Sequence, residues 1–228
     1  MSLSLRTVVK IVNGFVISHH KSVYLWCDLT IRLRMKKVLE KLFNDNMGFL
    51  TSAQMRGSAF RYHLNKMIAS GQVYKVRHGL YVHTDYQQYD ERVMVAEMVP
   101  SGVFCLFTAW HIYELTTTVS YQYHMAVPRS TKINPAPYPP VALYYLSEKV
   151  YKLGIDEIQF NGKIVKCYNK ERSVCDAVKF RNKTGEDIMQ EVIKNYMKMK
   201  DKNFDMLLKY AKILRVEKLM QPYLKALI

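Results

Sequence analysis

The feature that most constrains this chain is a change of hydrophobic period at Gly71: apolar residues recur at helical spacing before it and at alternate positions after it. From Met35, residues Val38, Leu39, Leu42 and Phe43 fall on one helical face, with Lys36, Lys37, Glu40 and Lys41 on the other. Asn46 and Gly48 stop that helix, and Phe49 and Leu50 read as a short extended piece. Thr51 is expected to cap a brief second helix through Arg56, because its hydroxyl can accept an orphan first-turn amide, and Gly57 ends it. Ser58 is the expected cap of a third helix, in which Phe60, Leu64, Met67 and Ile68 repeat at i, i+4, i+7 and i+8 before Ser70 and Gly71 close it. The alternating runs Val73 to Val76 and Leu80 to Val82, joined through Arg77, His78 and Gly79, predict a hairpin with a basic tip. Helix, helix, helix, hairpin is the order of a winged helix-turn-helix, expected over 35–85.

The remainder, 86–228, alternates signals. A helix carrying Val93, Val95, Ala96 and Met98 leads to Pro100, and an apolar helix is expected from Phe104 to Leu115. Strands are expected from Tyr123 to Val127 and from Val141 to Leu146, separated by a loop crowded with Pro135, Pro137, Pro139 and Pro140, where the missing amides forbid regular structure. Asn161 and Gly162 suit the positive φ angles of a tight turn and join Glu157–Phe160 to Lys163–Tyr168 as a hairpin. Helices are expected over Lys170–Phe180, over Thr184–Lys200 with Thr184 and Asp187 as a capping box, and from Asn203 to about Arg215. The expected fold class is therefore α+β: an N-terminal winged helix-turn-helix, then a mixed α/β domain closing in a helical C-terminal tail. Residues 1–34, strand-like in composition, form an N-terminal extension with no assigned role, and Met35 offers an alternative start.

With 34 Lys and Arg against 19 Asp and Glu, the formal charge of +15 favours phosphate-rich partners. The cationic excess is densest early: 1–34 carry five bases and one acid, 35–85 eight and three, and 86–228 21 and 15. Cys27, Cys105, Cys167 and Cys175 include no Cys-x-x-Cys pair and no histidine at finger spacing, so no metal site or other cofactor is expected, and reduced thiols fit a cytoplasmic protein. The apolar run from Thr7 to Ile17 is broken by Lys10 and Asn13 and is far short of the roughly 20 residues a membrane span needs.

If Phe60, Leu64 and Ile68 face the core, the opposite side of the third helix presents Arg61, Tyr62, Asn65 and Lys66. Arginine can take guanine O6 and N7 with two bonds and asparagine can take adenine N6 and N7, while lysine or tyrosine holds phosphate. Lys75, Arg77 and His78 on the hairpin would reach backbone or minor groove, and Ser52, Gln54 and Ser58 are expected near phosphate. For an isolated basic stripe a solvated helix face is the better explanation; the hairpin beside it shifts the balance to double-stranded DNA. Lys194, Lys198, Lys200 and Lys202 interleave with a buried stripe and read first as a solvated face.

No catalytic residue is assigned, and the chain is not expected to be an enzyme. A nucleophile elbow, a P-loop and a His-Glu-x-x-His metal motif are missing from the sequence. The nearest nuclease-like set is Asp156, Glu157 and Lys163, which lacks the lysine two residues after the acid, and His111 with Glu114 reads as a satisfied pair near the core.

Three stretches carry a resemblance. They are the winged segment, Gly48-Phe-Leu-Thr-Ser52 through Gly71-Gln-Val-Tyr-Lys-Val-Arg-His-Gly-Leu-Tyr-Val82; then Gly102-Val-Phe-Cys-Leu-Phe-Thr-Ala-Trp-His-Ile-Tyr-Glu-Leu-Thr-Thr117 with Ala126-Val-Pro-Arg129; and last Tyr168 to Lys183 with Tyr210 to Leu224. Together, from about Met35 to the C-terminus, they resemble the AbiEi family of bacterial transcriptional regulators, which act as antitoxins of type IV toxin-antitoxin and abortive-infection systems. The resemblance implies an autorepressor whose winged helix binds inverted repeats at its own promoter. It also implies a C-terminal domain that counteracts a nucleotidyltransferase-like toxin, by direct contact or otherwise. The alternatives are a protein-interaction module with a degenerate winged helix that no longer binds DNA, and a metal-dependent nuclease.

Overall fold

The computed structural model describes residues 11–12, 15–16, 34–55, 57–86 and 90–227. Most of the N-terminal extension, Cys27 and Arg56 lie outside the described residues. Internal contacts divide the chain into two units, Met1–Gln88 and Tyr89–Ile228.

In the first unit, β1 (Ile11–Val12) pairs antiparallel with β2 (Phe15–Val16). Helix α1 covers 34–45, followed by β3 (Phe49–Thr51), α2 (Ser58–Ala69), β4 (Val73–Arg77) and β5 (Leu80–His83). The three later strands form an antiparallel sheet in the order β3-β5-β4. Leu39 and Phe43, one turn apart on α1, meet Leu64 and Met67 of α2 and Leu50 and Val73 of the sheet in one core. Each such side chain, once fully buried, contributes about 1.5–3 kcal/mol. Val38 departs from the expected apolar face: it is 37% exposed, and Leu39, Leu42 and Phe43 define the buried side without it.

The expected second helix is absent among the described residues. Residues 52–54 form a turn instead, closed by the Gln54 amide N–H on the Thr51 carbonyl (3.1 Å). Five residues between β3 and Gly57 leave too little length for a stable helix when one end is tied into a sheet. Ser58 is likewise not a cap but the first residue of α2; Gly57 holds the cap position and no side chain caps it.

The second unit is built on a mixed five-stranded sheet in the order β8-β7-β6-β10-β9. Its elements are α3 (Glu91–Met98), β6 (Val103–Phe104), α4 (Leu106–Ile112), β7 (Tyr123–Pro128), β8 (Val141–Leu146), α5 (Glu148–Tyr151), β9 (Ile155–Phe160) and β10 (Lys163–Tyr168). The chain then closes in α6 (Lys170–Thr184), α7 (Glu186–Lys198), α8 (Phe204–Leu214) and α9 (Glu217–Leu227). The Asn161–Gly162 turn has φ angles of 46° and 81°, as a two-residue hairpin of this hand requires. β7 runs parallel to β8 and antiparallel to β6, while β10 runs parallel to β6 and antiparallel to β9. The architecture is α+β with C-terminal helices.

Several expected boundaries move, two of them at the start of a helix. Phe104 belongs to β6, and the apolar helix begins only at Leu106. Thr184 is the last residue of α6, its hydroxyl donating to the Phe180 carbonyl, so it caps nothing in α7. Among the described residues no helix is long and apolar enough to cross a membrane.

Candidate nucleic-acid interface

Helix α2 is held from below by Leu64 and Met67, with Phe60 and Ile68 packed at the flanks. Ser58, Arg61, Tyr62, Asn65 and Lys66 are all exposed, Tyr62 by 53%. At 3.6 residues per turn those five positions fall within an arc of about 140°. His63 is buried beside this arc, edge-on to the Tyr62 ring with centroids 5.2 Å apart. The helix contains no acidic residue, and at its N-terminus Gly57 leaves first-turn amides without a side-chain partner. That end carries the positive pole of the helix, which suits an anion.

The hairpin packs β4 against α2. Lys75 lies exposed opposite Tyr81, and a register irregularity between Lys75 and Arg77 re-aims the end of β4. At the tip His78 is exposed; Arg77 is half-buried, with Nη1 donating to the His78 carbonyl at 3.2 Å. Ser52 is joined to this tip, its amide donating to the Gly79 carbonyl at 2.8 Å. Ser52 is therefore tied to the hairpin tip and sits in a turn rather than on the expected second helix.

Gln54 is engaged by the turn it sits in. Its Oε1 accepts from the Thr51 amide and hydroxyl at 2.8 and 2.9 Å, and its Nε2 donates to Asn46 Oδ1 at 2.8 Å. A ligand phosphate would have to displace those bonds.

The other groups singled out by sequence are not assembled into chemistry. Asp156 and Glu157 are exposed on β9, while Lys163 pairs across the hairpin with Phe160 and donates to Glu97 Oε1 at 2.6 Å. His111 is exposed rather than part of a core pair: its Nε2 lies 2.6 Å from the Thr118 carbonyl, and Glu114 sits beyond the helix end in a left-handed conformation. Lys194, Lys198 and Lys200 are exposed, whereas Lys202 is half-buried and donates to the Met199 carbonyl at 2.8 Å. Cys105, Cys167 and Cys175 are buried free thiols, and burial pushes Cys167 up to about 12, which suppresses the reactive thiolate. Among the described residues no three metal-binding side chains cluster.

Sequence reasoning passed over Glu91, Tyr121, Tyr123 and Tyr138, which enclose a cavity in the second unit. They come from α3, β7 and two loops, so no local spacing announces them; the signal in the sequence is the concentration of tyrosine in 121–145. No family model matches the chain, and no curated protein matches it.

Proposed function

We propose that the chain is a DNA-binding transcriptional regulator in which residues 35–85 act as a winged helix, α2 as the major-groove helix and the β4–β5 hairpin as the wing. The observation that carries this reading is the exposed, acid-free arc of Ser58, Arg61, Tyr62, Asn65 and Lys66 on a helix packed against a hairpin with cations at its tip. Arg61 and Asn65 supply base-edge donors, while Lys66, Lys75 and the α2 N-terminus supply phosphate contacts. Autorepression at inverted repeats, and an antitoxin role toward a nucleotidyltransferase-like toxin, rest on the AbiEi resemblance, which runs from about Met35 to the C-terminus.

The test is fluorescence anisotropy with the duplex upstream of the chain's own gene. Arg61→Ala combined with Lys66→Ala should weaken binding at least tenfold without moving the unfolding transition, and wild-type affinity should fall steeply with salt as counterions are released. Unchanged affinity in the double variant sinks the assignment of α2. The turn at 52–54, standing where a helix-turn-helix needs a helix, favours a second reading as a protein-interaction module. Absent promoter binding, together with co-purification of the neighbouring gene product, would select it.

A further inference from the structure

A cavity of about 650 Å³ opens in the second unit between α3, α4, the start of β7 and the proline-rich loop. That volume lies within the range of small-molecule sites, about 300–1,000 Å³. Its walls are aromatic: Phe107, Tyr121, Tyr123 and Tyr138 all line it. Its rim holds unusual exposure for apolar side chains, with Val119 at 80%, Tyr121 at 85% and Tyr138 at 67%. Such clustering marks an interaction surface, because isolated apolar residues scatter whereas these converge on one opening.

One carboxylate stands among these rings. Glu91, the first residue of α3, accepts from the Tyr123 hydroxyl through Oε2 at 2.9 Å and from the Tyr138 hydroxyl through Oε1. Arg92 also lines the cavity, but its guanidinium is engaged elsewhere, ion-paired with Asp90 and stacked 3.9 Å over the Phe160 ring. His111 is turned to the Thr118 carbonyl. Among the described residues lining the cavity, Glu91 is thus the charge presented to a ligand, against the strongly cationic balance of the whole chain.

A carboxylate held by tyrosine hydroxyls in an aromatic-lined cavity discriminates by charge. An anion such as a nucleotide would be repelled, while a cation gains a charge-assisted hydrogen bond from the carboxylate and attraction from the ring quadrupoles. We infer that this cavity binds a small organic cation, an ammonium, amidinium or guanidinium group carried on an apolar body, with Glu91 as its counter-ion and Tyr121 and Tyr138 as its walls. The inference stands on the second unit alone and does not depend on DNA binding.

Isothermal titration of the full chain with benzamidine and tyramine, against neutral benzamide and anionic benzoate, tests it. At least one of the two cations should bind about tenfold or more tighter than benzamide, and benzoate should not bind. Glu91→Gln, which keeps an acceptor for one tyrosine, should erase the preference for the cation. Tyr121→Ala removes a side chain too exposed to support folding and should weaken cation binding about threefold while the unfolding transition stays in place. Equal binding of cation and benzamide, no binding of either cation, or a cation preference retained in folded Glu91→Gln each overturns the proposal.

Discussion

The Ser52 hydroxyl oxygen lies 2.8 Å from the point where a β-carbon on Gly79 would sit, and Gly79 itself holds a φ of +79°. The same two residues are linked by the Ser52 amide on the Gly79 carbonyl. The hairpin tip is therefore locked to the turn after β3, and the backbone conformation of its glycine is what disfavours any other residue there.

Gly79→Ala should accordingly destabilise the first unit. The left-handed conformation costs an alanine about 1–2 kcal/mol, and because the serine hydroxyl can rotate aside, the contact adds little to that. Gly79→Asn should cost less, since asparagine tolerates this region better. Urea denaturation of the three proteins checks the order; alanine matching glycine would show that the tip can be rebuilt without strain.

Arg172 and Asp176, one turn apart on α6, form an ion pair at 3.1 Å with side chains only 1% and 3% exposed. The guanidinium also donates to the Val150 carbonyl and stacks on the Tyr168 ring, 4.6 Å from its centroid. Among the described residues Asp176 Oδ1 has no hydrogen-bond partner, and burial pushes its carboxyl up from the usual carboxylate range. Removing one partner strands the other charge, so Arg172→Met and Asp176→Leu should each cost about 3–5 kcal/mol. The double variant should be milder than the sum and can approach either single change. A double-mutant cycle on urea midpoints measures the coupling, and additive losses would mean that the two charges do not support each other.

How legible these features are in the sequence depends on how local their causes are. The α2 stripe, the β4–β5 alternation and the Asn161–Gly162 turn can be read directly because each is set by residues within one element. The turn at 52–54 is not: Thr51 has a good capping residue's chemistry, yet its hydroxyl donates to Gln54 while its backbone extends β3 beside Leu80. β6 is two residues long, and its place between β7 and β10 comes from distant strands that no periodicity reveals. The first half of α6 is rich in polar residues yet buried, with Arg172 and Asp176 paired inside it, a burial that no spacing within the helix reveals. Past Arg215, Pro222 argues against a helix, and burial of Met220 and Leu224 overrides it in α9. The exposed polar arc of α2 falls in the legible class; the cavity around Glu91 falls in the other, because four separate segments meet there.

His124 should make the second unit lose stability in mild acid. It lies on β7, 4% exposed, with Nδ1 at 2.9 Å from the Tyr144 hydroxyl and Nε2 at 2.9 Å from Ser120 Oγ. Its ring stacks on Tyr144, centroids 5.6 Å apart, and leans on Phe107 at 5.1 Å. Burial disfavours the imidazolium and pushes its pKa from 6.5 down to about 4. In the unfolded chain the ring takes up its proton first, so between those two values the unfolded state binds more protons than the folded one. Stability contributed by neutral His124 is therefore complete above pH 6.5, declines as pH falls through the window, and declines no further below about 4. At 1.36 kcal/mol per unit the full loss is about 3 kcal/mol. His124→Gln keeps hydrogen-bonding capacity without a titrating ring. The difference in unfolding free energy between wild type and this variant, taken from urea denaturation, should therefore shift by that amount between pH about 7 and about 4. A constant difference across the window would mean that the folded protein accepts the imidazolium as readily as water does.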